Sequence, residues 1–218
     1  MNPLFFTLLV PALFAVLHAK TGKYPFSAAV TASCLVIAIL AGASVWIIAA
    51  YALSIVGDWF MAHSGGKNGD RMLLCGIVGF FFAHVCFLTY SVLLADRTES
   101  PVLRIAAALV LIIGYAVFLT RTLYPAIGDR FLRIAATAYT GISLCVMTAS
   151  LFSSARPASA ILFALGIAFI LFSDTLIALS RFLKKRKLGF WICPTYFLCH
   201  ILIAGSQIVL SNFPPFSR

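Results

Sequence analysis

Residues 157–187 read PASAILFALGIAFILFSDTLIALSRFLKKRK, and this stretch decides the fold class. Its first 23 residues contain a single charged side chain, Asp174, and the stretch then ends in five Lys and Arg residues. A transmembrane helix needs about 20 consecutive, mostly apolar residues. Basic residues gather next to the cytoplasmic ends of such helices. The stretch therefore predicts a membrane-spanning helix that ends at the cytoplasmic surface.

The composition of the whole chain agrees with this prediction. Of 218 residues, 62% are hydrophobic and only 10% are charged, whereas soluble domains have about 45–50% apolar and about 25% charged residues. The mean hydropathy is +1.06. These values exclude a soluble globular protein, a disordered chain and a nucleic-acid-binding module. They predict an integral membrane protein whose surroundings are the lipid bilayer.

Turn residues and charges divide the apolar sequence into segments. We predict an all-α bundle of eight transmembrane helices that forms one domain over residues 1–218. The predicted segments are 3–19, 25–40, 44–63, 72–95, 101–120, 131–151, 157–179 and 191–210. Only the small-residue turn AGAS separates the second segment from the third. A seven-helix arrangement, with those two merged or one of them re-entrant, is the alternative.

The distribution of Lys and Arg supports eight segments. Four loops on one side hold twelve of the sixteen basic residues: Lys20, Lys23, Lys67, Arg71, Arg121, Arg130, Arg133, Arg181, Lys184, Lys185, Arg186 and Lys187. The other side holds Arg97, Arg104, Arg156 and Arg218. Cytoplasmic loops carry the excess of positive charge, so both termini are predicted on the non-cytoplasmic side. The net charge of +10 is thus explained by the basic residues of the cytoplasmic loops, and no nucleic-acid partner is predicted. The predicted location is a bacterial inner membrane, which the protein crosses several times.

Two acidic residues lie inside predicted spans, which is unusual because a carboxylate at the bilayer centre costs about 2.5–3.5 kcal/mol. Asp58 lies in the third segment and Asp174 in the seventh, and both segments run toward the cytoplasm. With a rise of about 1.5 Å per residue, each carboxyl is placed roughly 8–11 Å inside the cytoplasmic boundary. We therefore expect the two aspartates to share a polar pocket. The alternative is that each aspartate has a purely structural role and pairs with a hydroxyl or basic side chain.

Other polar residues are candidates for completing that pocket. Tyr196 and His200 lie one turn apart on the eighth segment, and His84 lies near the middle of the fourth. Ser54 precedes Asp58 by one turn, and Ser173 precedes Asp174 directly. Each of these residues also has a simpler interpretation. The histidines and the tyrosine can form hydrogen bonds between helices, and the serines can serve helix packing.

The loop SGGKNGDR, residues 64–71, is glycine-rich but lacks the order of a phosphate-binding loop. Turn formation explains it, with Lys67 or Arg71 as weak candidates for contact with a lipid phosphate. Two deep histidines and two aspartates have the chemistry to hold a divalent ion, but no HxxxH or HExxH spacing occurs. The sequence therefore predicts neither a metal site nor a cofactor.

Three stretches together resemble the lysoplasmalogenases, also called YhhN-like membrane proteins. They are SIVGDWFMAH (54–63) with MLLCGIVGFFFAHVCFLTYS (72–91), LGIAFILFSDTLIALSRF (165–182) and CPTYFLCHILIAGS (193–206). These stretches resemble the G-D element with its F-x-x-A-H helix, the S-D-x-x-x-A helix and the P-T-Y closing helix of that family, in family order. The family commonly has Gln at the position of His200.

The resemblance implies hydrolysis of the vinyl ether bond of a lysoplasmalogen, a single-chain ether phospholipid. The products would be a fatty aldehyde and glycerophosphoethanolamine or glycerophosphocholine, and the family's proposed acid residues map onto Asp58 and Asp174. Vinyl ethers are hydrolysed by acid through an oxocarbenium ion, so a protonated and an ionised carboxyl group suit the reaction. Which aspartate plays which part stays open at this point. The alternatives are a proton-coupled carrier, a lipid-binding or sensory protein, and a metal-dependent intramembrane lipid amidase.

Overall fold

The protein is a bundle of α-helices. The computed structural model describes residues 2–65, 68–94, 102–152 and 157–212, and these ranges contain eight principal helices and no β-strand. The helices are α1 (Leu4–Thr21), α2 (Tyr24–Leu40), α3 (Val45–Ala62), α4 (Gly69–Leu93), α5 (Val102–Phe118), α6 (Arg130–Leu151), α7 (Pro157–Phe182) and α8 (Gly189–Ser211). Their order and bounds agree with the eight predicted segments to within a few residues.

Seven helical stretches among the described residues are long and apolar enough to cross a membrane. The one that contains most of α5 reaches this length because it continues through the turns after that helix (Arg104–Ala126), whereas α2 is a shorter apolar helix of 17 residues. A separate turn joins α2 to α3. Gly42 adopts a left-handed backbone conformation (φ +68°), which glycine enters without strain. Ser44 then caps α3 by accepting a hydrogen bond from the backbone N–H of Trp46. The second and third segments are therefore two helices, as the sequence predicts.

The fifth segment extends beyond its predicted end at residue 120. A π-helical turn, Leu119–Leu123, and a short 3₁₀ turn, Tyr124–Ala126, follow α5 directly. Leu119 and Leu123 are buried in a small apolar cluster with Leu73, Ile127 and Leu132. Burial of these leucines favours continued helical structure past the charged residues that suggested a break in the sequence.

Small residues allow two helix pairs to approach closely. In the pair α3 and α4, a Cβ atom on Gly79 would lie 3.2 Å from the Cα atom of Gly57. In the pair α7 and α8, a Cβ atom on Gly166 would lie 3.1 Å from the carbonyl oxygen of Cys199. These contacts fix the positions of α3 and α7, the helices that carry the two aspartates.

The two ends of the described chain lie at the same end of the bundle. The side-chain amide of Asn2 donates a hydrogen bond to the Asn212 Oδ1 atom at 2.7 Å. This arrangement agrees with an even number of passes through the bundle. The side of the membrane on which the ends lie stays a prediction.

Candidate active site

A cavity of about 800 Å³ opens at the end of the bundle opposite to the two chain ends, and we call it the polar cavity. It lies where α1, α3 and α7 end and where α2 and α8 begin. Its lining includes both intramembrane aspartates, Asp58 and Asp174, together with Tyr196. Arg181 and Lys184 add two cations to the wall. Acidic and basic side chains from separate helices thus meet in one space.

Asp58 lies in the last two turns of α3, and only 9% of its surface is exposed. Thr31 of α2 donates a hydrogen bond from its hydroxyl to the Asp58 Oδ2 atom at 3.0 Å. The Tyr196 hydroxyl of α8 lies beside the same carboxyl but forms no hydrogen bond of standard geometry. Thr31 therefore holds the carboxyl by a hydrogen bond, and the Tyr196 hydroxyl is a second polar group next to it.

Asp174 lies in the middle of α7 and is partly exposed to the cavity. The Tyr139 hydroxyl of α6 donates a hydrogen bond to the Asp174 Oδ2 atom at 2.6 Å. The ring of Tyr139 packs edge-on against the His84 ring of α4, with 5.0 Å between the ring centroids. Each aspartate is thus fixed by one hydroxyl donor from a neighbouring helix.

A second, smaller pocket of about 80 Å³ adjoins the polar cavity, and we call it the apolar pocket. Most of its lining is aliphatic or aromatic. It shares five lining residues with the polar cavity: Met61, Phe80, Asp174, Ile177 and Arg181. Asp174 belongs to both spaces, whereas Asp58 lines only the polar cavity.

The two deep histidines do not line the polar cavity. The Nδ1 atom of His84 lies 2.8 Å from the carbonyl oxygen of Phe80, so this nitrogen carries a hydrogen and donates it to that oxygen. His200 is fully buried, and neither of its ring nitrogens has a hydrogen-bond partner in the part of the chain that the structure describes. Its ring packs edge-on against the Tyr196 ring with 4.5 Å between centroids. His200 therefore lies behind Tyr196, which lines the polar cavity, and His84 lies behind Tyr139, which lines the apolar pocket described above.

The two candidate serines are buried and do not line the polar cavity. Ser173 donates a hydrogen bond to the carbonyl oxygen of Ile192 at 3.2 Å, which joins α7 to the start of α8. Ser54 lies one turn before Asp58 on α3. Their positions fit the packing interpretation, and a supporting role in catalysis stays a prediction.

Of the two weak headgroup candidates, only Arg71 lies within the described residues, and Lys67 does not. Arg71 is exposed and lines a separate surface pocket of about 530 Å³ with Asp70 and Arg181. No group of three or more His, Cys, Asp or Glu side chains in the described ranges is placed to hold a metal ion.

Comparison with models of known protein families identifies the family of this chain. The model of the YhhN family matches residues 23–207, which include both aspartates, helices α2 to α7 and most of α8. The chain belongs to the YhhN family. This confirms the relationship that the three sequence stretches indicated, and with the long apolar helices it makes this YhhN protein a multi-pass integral membrane protein. No curated protein and no solved structure is significantly similar to the chain.

Two residues of this YhhN site escaped the sequence analysis, namely Thr31 and Tyr139. Each is a hydroxyl-bearing residue inside an apolar helix, which is common and carries little information alone. The signal that could have identified them is their depth, measured from the end of the bundle where the polar cavity opens. Thr31 lies seven residues from the start of α2 and Tyr139 nine residues from the start of α6, or about 10–14 Å from the same end of the bundle. That depth matches the one predicted for the aspartates.

Proposed function

We propose that this YhhN protein hydrolyses the vinyl ether bond of lysoplasmalogens by acid–base catalysis with Asp58 and Asp174. The observation that carries the proposal is that both carboxyl groups line one cavity. Family membership supports a lysoplasmalogenase-type hydrolase. The products are a fatty aldehyde and glycerophosphoethanolamine or glycerophosphocholine. Water is the only co-reactant that the chemistry requires.

The reaction requires a proton on carbon and a water molecule on the neighbouring carbon. Protonation of the alkene carbon farther from the ether oxygen gives an oxocarbenium ion, and water then adds to the carbon bonded to oxygen. A protonated carboxyl supplies the first proton, and an ionised carboxyl stabilises the cation and activates the water, as in glycosidases. Two carboxyl groups in different surroundings fit this division of labour.

The two adjoining spaces favour one orientation of the substrate. The first carbons of its hydrocarbon chain suit the apolar pocket, and its glycerol and phosphodiester suit the polar cavity. The alkene carbon that receives the proton is on the chain side of the ether, and Asp174 is the aspartate that borders the apolar pocket. We therefore assign Asp174 as the general acid and Asp58 as the general base.

The proton cycle then closes without another group. Asp174 uses Oδ1 for its proton because Oδ2 accepts the hydrogen bond from Tyr139. Asp58 takes a proton from the attacking water. As the hemiacetal collapses, the carbon–oxygen bond to glycerol breaks, Asp58 returns its proton to the departing oxygen, and Asp174 receives the proton of the hemiacetal hydroxyl. Both aspartates regain their starting states.

The remaining residues support this arrangement. The Tyr196 hydroxyl lies beside the Asp58 carboxyl, and we assign it the role of orienting the water that Asp58 activates. His84 and His200 pack against Tyr139 and Tyr196, respectively. We place the protein in a bacterial inner membrane with the polar cavity toward the cytoplasm, because the basic loops lie at that end.

Detergent-purified protein tests the proposal. Incubation with lysoplasmenylethanolamine should release fatty aldehyde, whereas the diacyl phospholipid should give none. The Asp58→Asn and Asp174→Asn variants should each be inactive but fold with the wild-type thermal midpoint. Turnover by either variant, or wild-type protein that releases no aldehyde, would contradict the dyad. Release that a chelator abolishes would instead favour metal-dependent hydrolysis.

A further inference from the structure

The polar cavity has a cationic wall that the hydrolytic reaction does not use. Arg181 belongs to the last turn of α7, and Lys184 lies just beyond that helix. Both line the same cavity as the aspartates. Both are exposed, so their charged groups can meet a ligand that enters from the mouth.

Among the described residues, Arg181 has only weak partners. Its Nη2 atom lies 3.5 Å from Asp70 Oδ1 and 3.4 Å from the carbonyl oxygen of Ser64. Both distances exceed the usual range of about 2.7–3.2 Å for such hydrogen bonds. The Asp70 side chain is 80% exposed, and exposed ion pairs of this kind contribute little. The guanidinium is therefore available for a stronger anionic partner.

Lys184 occupies a backbone conformation in which glycine is normally found. Its φ angle is +56°, and it is the one non-glycine residue with positive φ in the described ranges. Helices commonly end at a residue in this left-handed conformation, which is usually glycine, and here the following N–H, that of Lys185, bonds back to the carbonyl of Leu179. Strained residues of this kind cluster at functional sites. A lysine at this position places a cation at the cavity mouth at the expense of backbone strain.

We propose that Arg181 and Lys184 bind the phosphodiester of the lipid headgroup. This site rests on the proposed function for the identity of its substrate. The six bonds from the ether carbon to phosphorus equal those of two extended residues, or about 7 Å. Arg181 follows Asp174 by seven residues, about 10 Å along α7, and its long side chain covers the difference. Arg pairs with phosphate oxygens through two parallel N–H groups, and Lys adds a point charge.

Binding of a stable analogue tests the site independently of turnover. The saturated 1-O-alkyl lysophosphoethanolamine has no alkene to protonate, and 1-O-alkylglycerol of equal chain length lacks the phosphodiester. Full-length protein in detergent should bind the phospholipid at least about tenfold more tightly than the alkylglycerol. Arg181→Gln and Lys184→Gln should each reduce that preference by about tenfold, the size of one hydrogen bond to a charged group.

Matched variants separate headgroup binding from other effects. Asp70→Asn removes the ion pair of Arg181 but keeps the cation, and Lys185→Gln removes an exposed neighbouring cation that does not line the cavity. Both should keep the wild-type preference. Lys184→Gly relieves the backbone strain, so it should show a thermal midpoint no lower than wild type while it loses the preference. Equal preference in wild type, Arg181→Gln and Lys184→Gln would overturn the proposal.

Competition identifies the source of the phosphate. Glycerophosphoethanolamine should displace the bound analogue more effectively than inorganic phosphate does. Equal displacement by inorganic phosphate would reveal a free-phosphate site and overturn the headgroup assignment. Failure of the wild-type protein to release aldehyde would refute the hydrolytic reaction alone, since the binding preference is measured without it.

Discussion

Replacement of Thr31 by valine removes one hydroxyl group and leaves the shape of the side chain almost unchanged. That hydroxyl donates to Asp58 at 3.0 Å, and Thr31 is fully buried. A hydrogen bond to an ionised group contributes about 1.5–3 kcal/mol. If Asp58 acts as the ionised base, loss of this hydrogen bond makes the ionised form, which is the form that activates water, less favourable by up to that amount. At 1.36 kcal/mol per factor of ten, kcat should fall roughly 10- to 150-fold.

The assay is the initial rate of aldehyde release from lysoplasmenylethanolamine by detergent-purified protein, followed with an aldehyde-reducing coupling enzyme. Thr31→Ser keeps the donor and should retain most of the activity. Thr89→Val is the matched control, because the Thr89 hydroxyl bonds only to the carbonyl of Val85 in its own helix. Its kcat should equal that of the wild type.

The size of the effect also tests the assignment of roles. A donor to a neutral carboxylic acid contributes only about 0.5–1.5 kcal/mol, which corresponds to roughly a 2- to 13-fold change. If kcat of Thr31→Val stays within twofold of the wild type while the variant is folded, Asp58 is not an ionised base held by Thr31. The reasoning about this carboxyl would then be refuted.

Three further predictions follow from the same geometry. Tyr139→Phe removes the donor to Asp174 and should lower kcat about tenfold. The control is Tyr124→Phe, which should keep full activity because the Tyr124 hydroxyl pairs with Thr137 outside both cavities. Equal rates for the two variants would show that Tyr139 takes no part in the mechanism. Turnover in D₂O should place one deuterium on the carbon next to the aldehyde, measured by mass spectrometry after reduction to the alcohol, and an unlabelled product would exclude protonation at carbon. Gly79→Ala should destabilise the fold by about 1–3 kcal/mol because the added Cβ atom meets the backbone of α3. The control is Gly114→Ala, which should not lower the thermal midpoint because there is open space around Gly114. Equal thermal midpoints for the two variants would show that α3 can move aside at little energetic cost.

The helices were predictable because hydrophobic length is a strong local signal. A run such as 157–179 satisfies the requirement of the bilayer without any knowledge of its neighbours. The AGAS turn was also readable, since glycine and a capping serine mark a break in the helix. The π turn after Phe118 was not, because burial of Leu119 and Leu123 against other helices sustains it. That packing is not encoded in the local sequence.

The site was predictable where a residue type is rare in its surroundings. Asp58 and Asp174 stand out because carboxyl groups are costly inside a bilayer. Thr31 and Tyr139 do not, because hydroxyl side chains can bond to their own helix and are common in apolar spans. Lys184 does not stand out in the sequence, because it belongs to a basic cluster that the membrane topology is enough to explain. Its backbone angle and its place in the lining of the polar cavity separate it from Lys185.

The position of Asp174 between two unlike compartments has a consequence for the products of the proposed reaction. A long-chain aldehyde released on one side dissolves in hydrocarbon, while the charged glycerophosphodiester released on the other side dissolves in water. The fragments then diffuse apart into different phases, and re-formation of the bond becomes negligible. A reactive aldehyde would thereby be delivered into the membrane, where enzymes that oxidise or reduce it have to collect it.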